Sequence, residues 1–168
     1  MPPFPKSQPY PRDSSFQTRG IRRPDPHHFP CLRPGAPALL LTCGADGYST
    51  SAYTWALGLD DKRLRFAVDV GGSSMANLQR SGQASVQIIG PGDVSFLVKG
   101  KSRLIKERID AAAPYSIMLW EMDVMGAKDQ SWTGVSTTAL MYEWPAEQRE
   151  AMLKMEGAVY SEMRDFAA

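Results

Sequence analysis

The rhythm of apolar and polar residues changes at about residue 36. Before it, proline alternates with polar residues (PPFPKSQPYPRDSS, then RRPDPHHFPCLRPG). Backbone N–H groups are then missing too often for a helix or a central strand, so an extended arm is expected over residues 1–35. Beyond it, short β-prone runs recur at intervals of about ten residues between turn signals, the pattern of an antiparallel barrel or sandwich. Leu39 to Cys43 is the first run, and Gly44-Ala45-Asp46-Gly47 after it carries the Asp-Gly pair of a tight hairpin. Tyr48 to Leu59 is the second. After the turn Asp60-Asp61-Lys62, the residues Leu64, Phe66, Val68 and Val70 alternate with Arg63, Arg65, Ala67 and Asp69. That period of two predicts a half-buried third strand. Gly71-Gly72-Ser73-Ser74 breaks the alternation, and a serine placed as an N-cap opens a helix of two turns, about Met75 to Ser81, stopped by Gly82. Ala84 to Ile89, Val94 to Ile105, Ser116 to Met125 and Val135 to Trp144 complete about seven strands. Pro145 suits a first helical position, and Met152, Met155, Val159, Met163 and Phe166 recur at steps of three and four. An amphipathic helix to the C-terminus follows from that spacing. The expected organisation is an arm over 1–35, a mainly β barrel domain over 36–144 and a helix packed on it over 145–168.

Composition narrows what such a domain does. In 168 residues, 43% are hydrophobic, enough for one sizeable core. With 19 basic and 18 acidic residues the net charge is +1, so the field of a dedicated nucleic-acid binder is missing and no nucleic-acid partner is expected. The charge is uneven: residues 1–37 hold six basic and two acidic side chains and ten of the 13 prolines. The longest apolar run, Ala36 to Thr42, is far shorter than the roughly 20 residues of a membrane-spanning helix. No membrane association is expected. With no secretory signal read and only Cys31 and Cys43 for cysteines, a reducing, cytoplasmic compartment is the expectation.

Chemistry concentrates between the third strand and the short helix. A Gly-Ser loop feeding a helix N-terminus offers backbone N–H groups, two hydroxyls and the positive end of the helix dipole, all suited to a phosphate; the same serines equally suit a plain helix cap. On the second strand Ala52, Thr54, Ala56 and Gly58 are small, so a flat ring has room to approach the backbone, whereas Tyr53, Trp55, Leu57 and Leu59 are bulky and read as core or interface. Trp120, Trp144 and Tyr142 read as closing the core or a subunit seam; Trp132, in a polar loop, is kept as a cover for a bound ring. His27, His28 and Cys31 have ligand chemistry but no second ligand pair, so no metal is expected. Glu121 and Asp123 share a strand face in no catalytic context, and a surface or supporting role is expected of them. No nucleophile elbow, Walker loop or dinucleotide fingerprint is present.

The stretch TCGADGYSTSAYTWALGLDDKRLRFAVDVGGSSMANLQRSGQASVQIIG resembles the pyridoxamine 5′-phosphate oxidase-like family of FMN-binding split barrels. The likeness lies in order and spacing: a first strand ending in Thr42, the Ala45-Asp46-Gly47 hairpin, a long second strand, the Asp60-Asp61 turn, a third strand and a Ser-x-x-Asn-Leu helix (Ser74, Asn77, Leu78). It implies an antiparallel split β-barrel, and a homodimer with FMN at the subunit interface. It places Ser51, Tyr53, Thr54 and Trp55 near the flavin ring and Val68, Asp69, Gly72, Ser73, Ser74 and Asn77 near the phosphate or ribityl chain, with Trp132 over the ring. The run Gly72 to Asn77 lacks the lysine or arginine that many members carry, leaving Arg63, Arg65, Lys99 and Lys101 as candidate phosphate cations. The C-terminal segment Tyr142-Glu143-Trp144-Pro145 also departs from the ending of the true pyridoxamine phosphate oxidases. The resemblance implies an FMN-dependent oxidoreductase exchanging hydride or electrons with a small-molecule substrate or a reduced nicotinamide. The alternative is a non-catalytic protein holding a flavin, the deazaflavin F420 or haem.

Overall fold

The computed structural model describes residues 32–167; His27, His28, Cys31 and most of the arm lie outside the described residues. Six strands close into one antiparallel barrel. They are β1 (Ala36–Cys43), β2 (Ser49–Gly58), β3 (Arg63–Asp69), β4 (Gln83–Ile89), β5 (Ser95–Lys106) and β6 (Ile117–Asp129), in the order β1-β2-β3-β6-β5-β4 around the wall. Helix α1 (Ser73–Ser81) follows β3, and helix α2 (Arg149–Asp165) lies outside the barrel near the end of the chain.

The alternation of side chains along each strand sorts residues between two cores. Leu40, Ala56, Leu64, Phe66, Val68, Val86, Val98, Trp120 and Met122 fill the barrel. Leu57, Ala67, Ile117 and Leu119 point the other way and pack with Val159 and Met163 of α2. The apolar stripe of α2 is thus spent on the barrel wall: Met152, Val159 and Met163 are buried, and each full burial of this kind contributes about 1.5–3 kcal/mol. Because α2 covers β3 from outside, Arg65 and Ala67 are buried as well as Leu64, Phe66 and Val68. The half-buried alternation expected of β3 is therefore buried on both faces.

Three further expectations are corrected. The segment Val135 to Trp144 is not a seventh strand. A closed barrel leaves little edge to pair with, so this strap is held by the Gly92–Thr137 bridge, by the Thr137 hydroxyl donating to Gly90 O (2.6 Å) and by Leu140 N donating to Ile89 O (3.1 Å). Helix α2 starts at Arg149, with Gln148 as its N-cap, not at Pro145. Helix α1 starts two residues early, with Gly72 as N-cap and no side-chain cap, so Ser73 and Ser74 lie within its first turn.

Candidate functional site

The barrel is split between β2 and β3. The two strands pair only from Ala56 opposite Phe66 to Gly58 opposite Leu64. The same register would set Tyr53 against Asp69, but the strands part there. The Thr54 hydroxyl wedges the fork open, donating to Ala67 O (2.7 Å) and accepting from Ala67 N (3.2 Å). Beyond the fork each strand stays paired on its other side, β2 with β1 and β3 with β6. Two strand edges therefore face each other across a gap.

A cleft of about 390 Å³ occupies that gap. Tyr53, Thr54 and Trp55 supply the β2 wall, Ala67 and Asp69 the β3 wall, and Tyr115 and Ile117 the start of β6. Tyr142 and Trp144 of the strap and Met155 of α2 complete it. The rings are ordered by contacts with one another: Tyr142 meets Tyr53 edge-on at 6.1 Å and Trp144 edge-on at 5.4 Å between centroids. Glu156 of α2 anchors this wall from behind. Its Oε1 accepts from Trp55 Nε1 (3.0 Å) and from the Tyr142 hydroxyl, and Trp55 Nε1 also donates to Tyr142 Oη (2.6 Å). Burial, reinforced by the Glu156 carboxylate and partly offset by Trp55, pushes the Tyr142 phenol above its usual range, so it stays protonated. Burial does the same to Tyr160 nearby.

The expected site residues divide. Tyr53, Thr54, Trp55 and Asp69 come together in the cleft. Ser51 lies exposed on β2, paired with Leu41, outside the cleft lining. Val68 points into the barrel core at 3% exposure. Gly72, Ser73 and Ser74 form the start of α1, with Ser73 exposed and Ser74 buried. The Asn77 amide donates to the Thr42 hydroxyl (3.0 Å) and lies 3.4 Å from that of Thr50, fastening α1 to β1 and β2. Trp132 is 72% exposed in the loop between β6 and the strap and does not line the cleft. Thr54 and Ala56 are buried, and Tyr53 and Trp55 of the bulky face of β2 line the cleft with Thr54. Tyr115, Ile117, Tyr142, Trp144 and Met155 join the cleft only through the fold; the spacing of Tyr142 and Trp144, two apart in an extended segment, is the one local sign that they share a face.

The candidate cations are also corrected in part. Arg65 is buried and engaged: it donates to Glu121 Oε2 (2.9 Å) and to the carbonyls of Met163 (2.6 Å) and Phe166 (2.8 Å) at the end of α2. Arg63 pairs with Asp60. Lys99 and Lys101 lie beside a different cavity, about 540 Å³, on the outer face of β1, β4 and β5. Glu121 is not a surface group but the buried centre of a triad with Arg65 and Arg103.

No protein-family model and no curated protein matches the sequence. Solved structures match it by fold. A pyridoxamine 5′-phosphate oxidase-related, FMN-binding protein from Nostoc punctiforme superposes with a TM-score of 0.50 at 18% identity, over 60% of this chain and 76% of that one. A Clostridium acetobutylicum protein of the pyridoxine phosphate oxidase family, related to general stress protein 26 of B. subtilis, gives 0.49 at 9% identity, over 62% and 85%. An F420 reductase gives 0.47 at 16% identity, over 59% and 93%. The fold is that of the pyridoxamine 5′-phosphate oxidase-like FMN-binding split barrels. None of the described helices is long and apolar enough to cross a membrane.

A flavin can be set against this site on its own geometry. The volume lies within the usual range of ligand pockets, about 300–1,000 Å³, and the walls are aromatic as a flat ring requires. Trp144 lines the cleft, and its Nε1 is buried without a partner among the described residues. The ring fits; for a phosphate, no described lining residue is a lysine or arginine.

Proposed function

We propose that the chain binds a flavin in the cleft at the β2–β3 split and acts as an oxidoreductase on a small organic substrate or a reduced nicotinamide. The observation that carries this is the fork itself: two open strand edges flanked by Tyr53, Trp55, Tyr115, Tyr142 and Trp144. A bound flavin would supply hydride and electron transfer at its ring, leaving the protein to bind, orient and exclude water. Trp55 and Tyr142 hold the ring plane by stacking, and the Glu156 bonds fix both side chains before a ligand arrives, which lowers the ordering cost of binding. We further propose that two copies pair across the cleft mouth, where Tyr53 is 58% and Tyr115 46% exposed.

Titrating FMN and riboflavin into the full chain, with flavin fluorescence and visible absorption as readouts, tests the reading. Quenching on binding is expected, and Trp55→Leu should weaken it about threefold to tenfold. Anaerobic bleaching of the bound flavin by NADH or NADPH would support nicotinamide-dependent reduction. Binding without bleaching by any reductant would leave a holding role, and a chain with no affinity for either flavin would overturn the proposal.

A further inference from the structure

The charge around the cleft decides which flavin it prefers. Asp69 is the one charged group among its described lining residues, and it is exposed at the end of β3. A second carboxylate, Glu156, stands directly behind Trp55 and Tyr142. Of the nearby cations, Arg63 pairs with Asp60, Arg65 with Glu121 and the end of α2, and Lys106 with Asp110 and Glu162, while Arg149 and Lys154 of α2 are exposed and outside the described lining. The first turn of α1 adds no cation, and its sequence from Ser73 to Asn77 is uncharged. An aromatic pocket backed by two carboxylates attracts neutral or cationic rings and repels a dianion.

Resting on the flavin reading above, we infer that this cleft selects against a phosphate and takes its cofactor in a phosphate-free form, riboflavin or the bare ring. Wall stacking serves the isoalloxazine equally in riboflavin, in the bare ring and in FMN, so discrimination falls on the side chain of the ligand. The phosphate of FMN would bring about two negative charges to a cleft whose described lining holds Asp69 and neither lysine nor arginine.

Equilibrium titrations of the full chain with riboflavin, lumiflavin and FMN at low and high salt provide the test. Riboflavin and lumiflavin should bind at least as tightly as FMN. Because like charges are screened by salt, FMN affinity should rise with ionic strength while riboflavin affinity stays level. Asp69→Asn should raise the ratio of FMN to riboflavin affinity about threefold to tenfold; Asp69 is exposed, so the variant should fold. FMN binding tenfold tighter than riboflavin, an FMN affinity that falls with salt, or one indifferent to both salt and Asp69 would overturn the inference while sparing the flavin reading. Failure of all three ligands to bind would remove both.

Discussion

Glu121 shows how one side chain is redefined by what folds over it. Its partners on the strand ladder are Arg65 on β3 and Arg103 on β5, and the end of α2 seals the group to 1% exposure. Removing it leaves the Arg65 guanidinium buried with only backbone carbonyls for company. Such uncompensated charges cost about 3–5 kcal/mol. Glu121→Ala should therefore lower the unfolding free energy measured in urea by that amount, and adding Arg65→Met should recover much of the loss; an Ala variant as stable as the wild type would contradict the triad. Spacing alone placed Glu121 and Asp123 on one face of a strand, which is correct. It gave no sign that α2 would return over that face, because the contact joins residues about 40 positions apart. Arg65 was likewise legible as an outward residue of β3 but not as the clasp of a helix end.

Strands and helices were legible where their cause is local. The period of two along Arg63 to Asp69, the Gly-punctuated turns and the Met-Val-Met stripe of α2 each needed only neighbours in sequence. The strap failed that test: Val135 to Trp144 has strand-like residues, yet pairing depends on which edges the barrel leaves open, and the strap meets the barrel only through the Gly92–Thr137 bridge and the bonds of Thr137 and Leu140. Closure also relies on a bulge between β5 and β6. Lys99 pairs with Gly126 and Gly100 with Val124, so Met125 is extra and stands 66% exposed. At Gly100 a Cβ would come within 2.1 Å of the Asp123 carbonyl oxygen, a clash with backbone on the neighbouring strand that no rotamer change relieves. Gly100→Ala should thus cost about 1–3 kcal/mol in chemical denaturation. An unaltered midpoint would mean that the bulge does not need the glycine.

Barrel and terminal helix act as one body through a second, polar clasp. Glu162 of α2 accepts from Lys106 Nζ (2.6 Å) and from the backbone N–H groups of Asp110 (2.9 Å) and Ala111 (2.7 Å), in the 3-10 turn Asp110–Ala112 before β6. Burial alone would raise the Glu162 carboxyl, but Lys106 and the two N–H groups together hold it below its ordinary value of 4.5. Lys106 is held above its ordinary 10.5 by Asp110 and Glu162. A lowered acid contributes stability above its unfolded pKa and loses it as pH falls through the folded one; a raised base contributes below its unfolded pKa and loses it as pH rises through the folded one. The clasp should therefore be at full strength between about pH 4.5 and 10.5 and fade on either side. Thermal melts of wild type and Glu162→Gln across that range should differ near neutrality and converge as pH drops below 4.5; parallel curves at every pH would remove the clasp from the account.

What the sequence by itself determined is whatever depends on residues close along the chain. That includes the six strands of the barrel, the hairpin at Asp46-Gly47, the glycine stop of α1 and the apolar face of α2. Four expected site residues, Tyr53, Thr54, Trp55 and Asp69, also lie in the cleft. Tertiary structure decided the fork between β2 and β3, which commits Thr54 to wedging the strands. It brought Tyr142 and Trp144 about 90 residues along the chain to face Tyr53 and Trp55, and it spent Arg65 on a helix end instead of a ligand. Those outcomes follow from closing one sheet and laying a helix over it. Closure fixes which distant residues meet, and a linear pattern of hydrophobicity holds no information about that meeting.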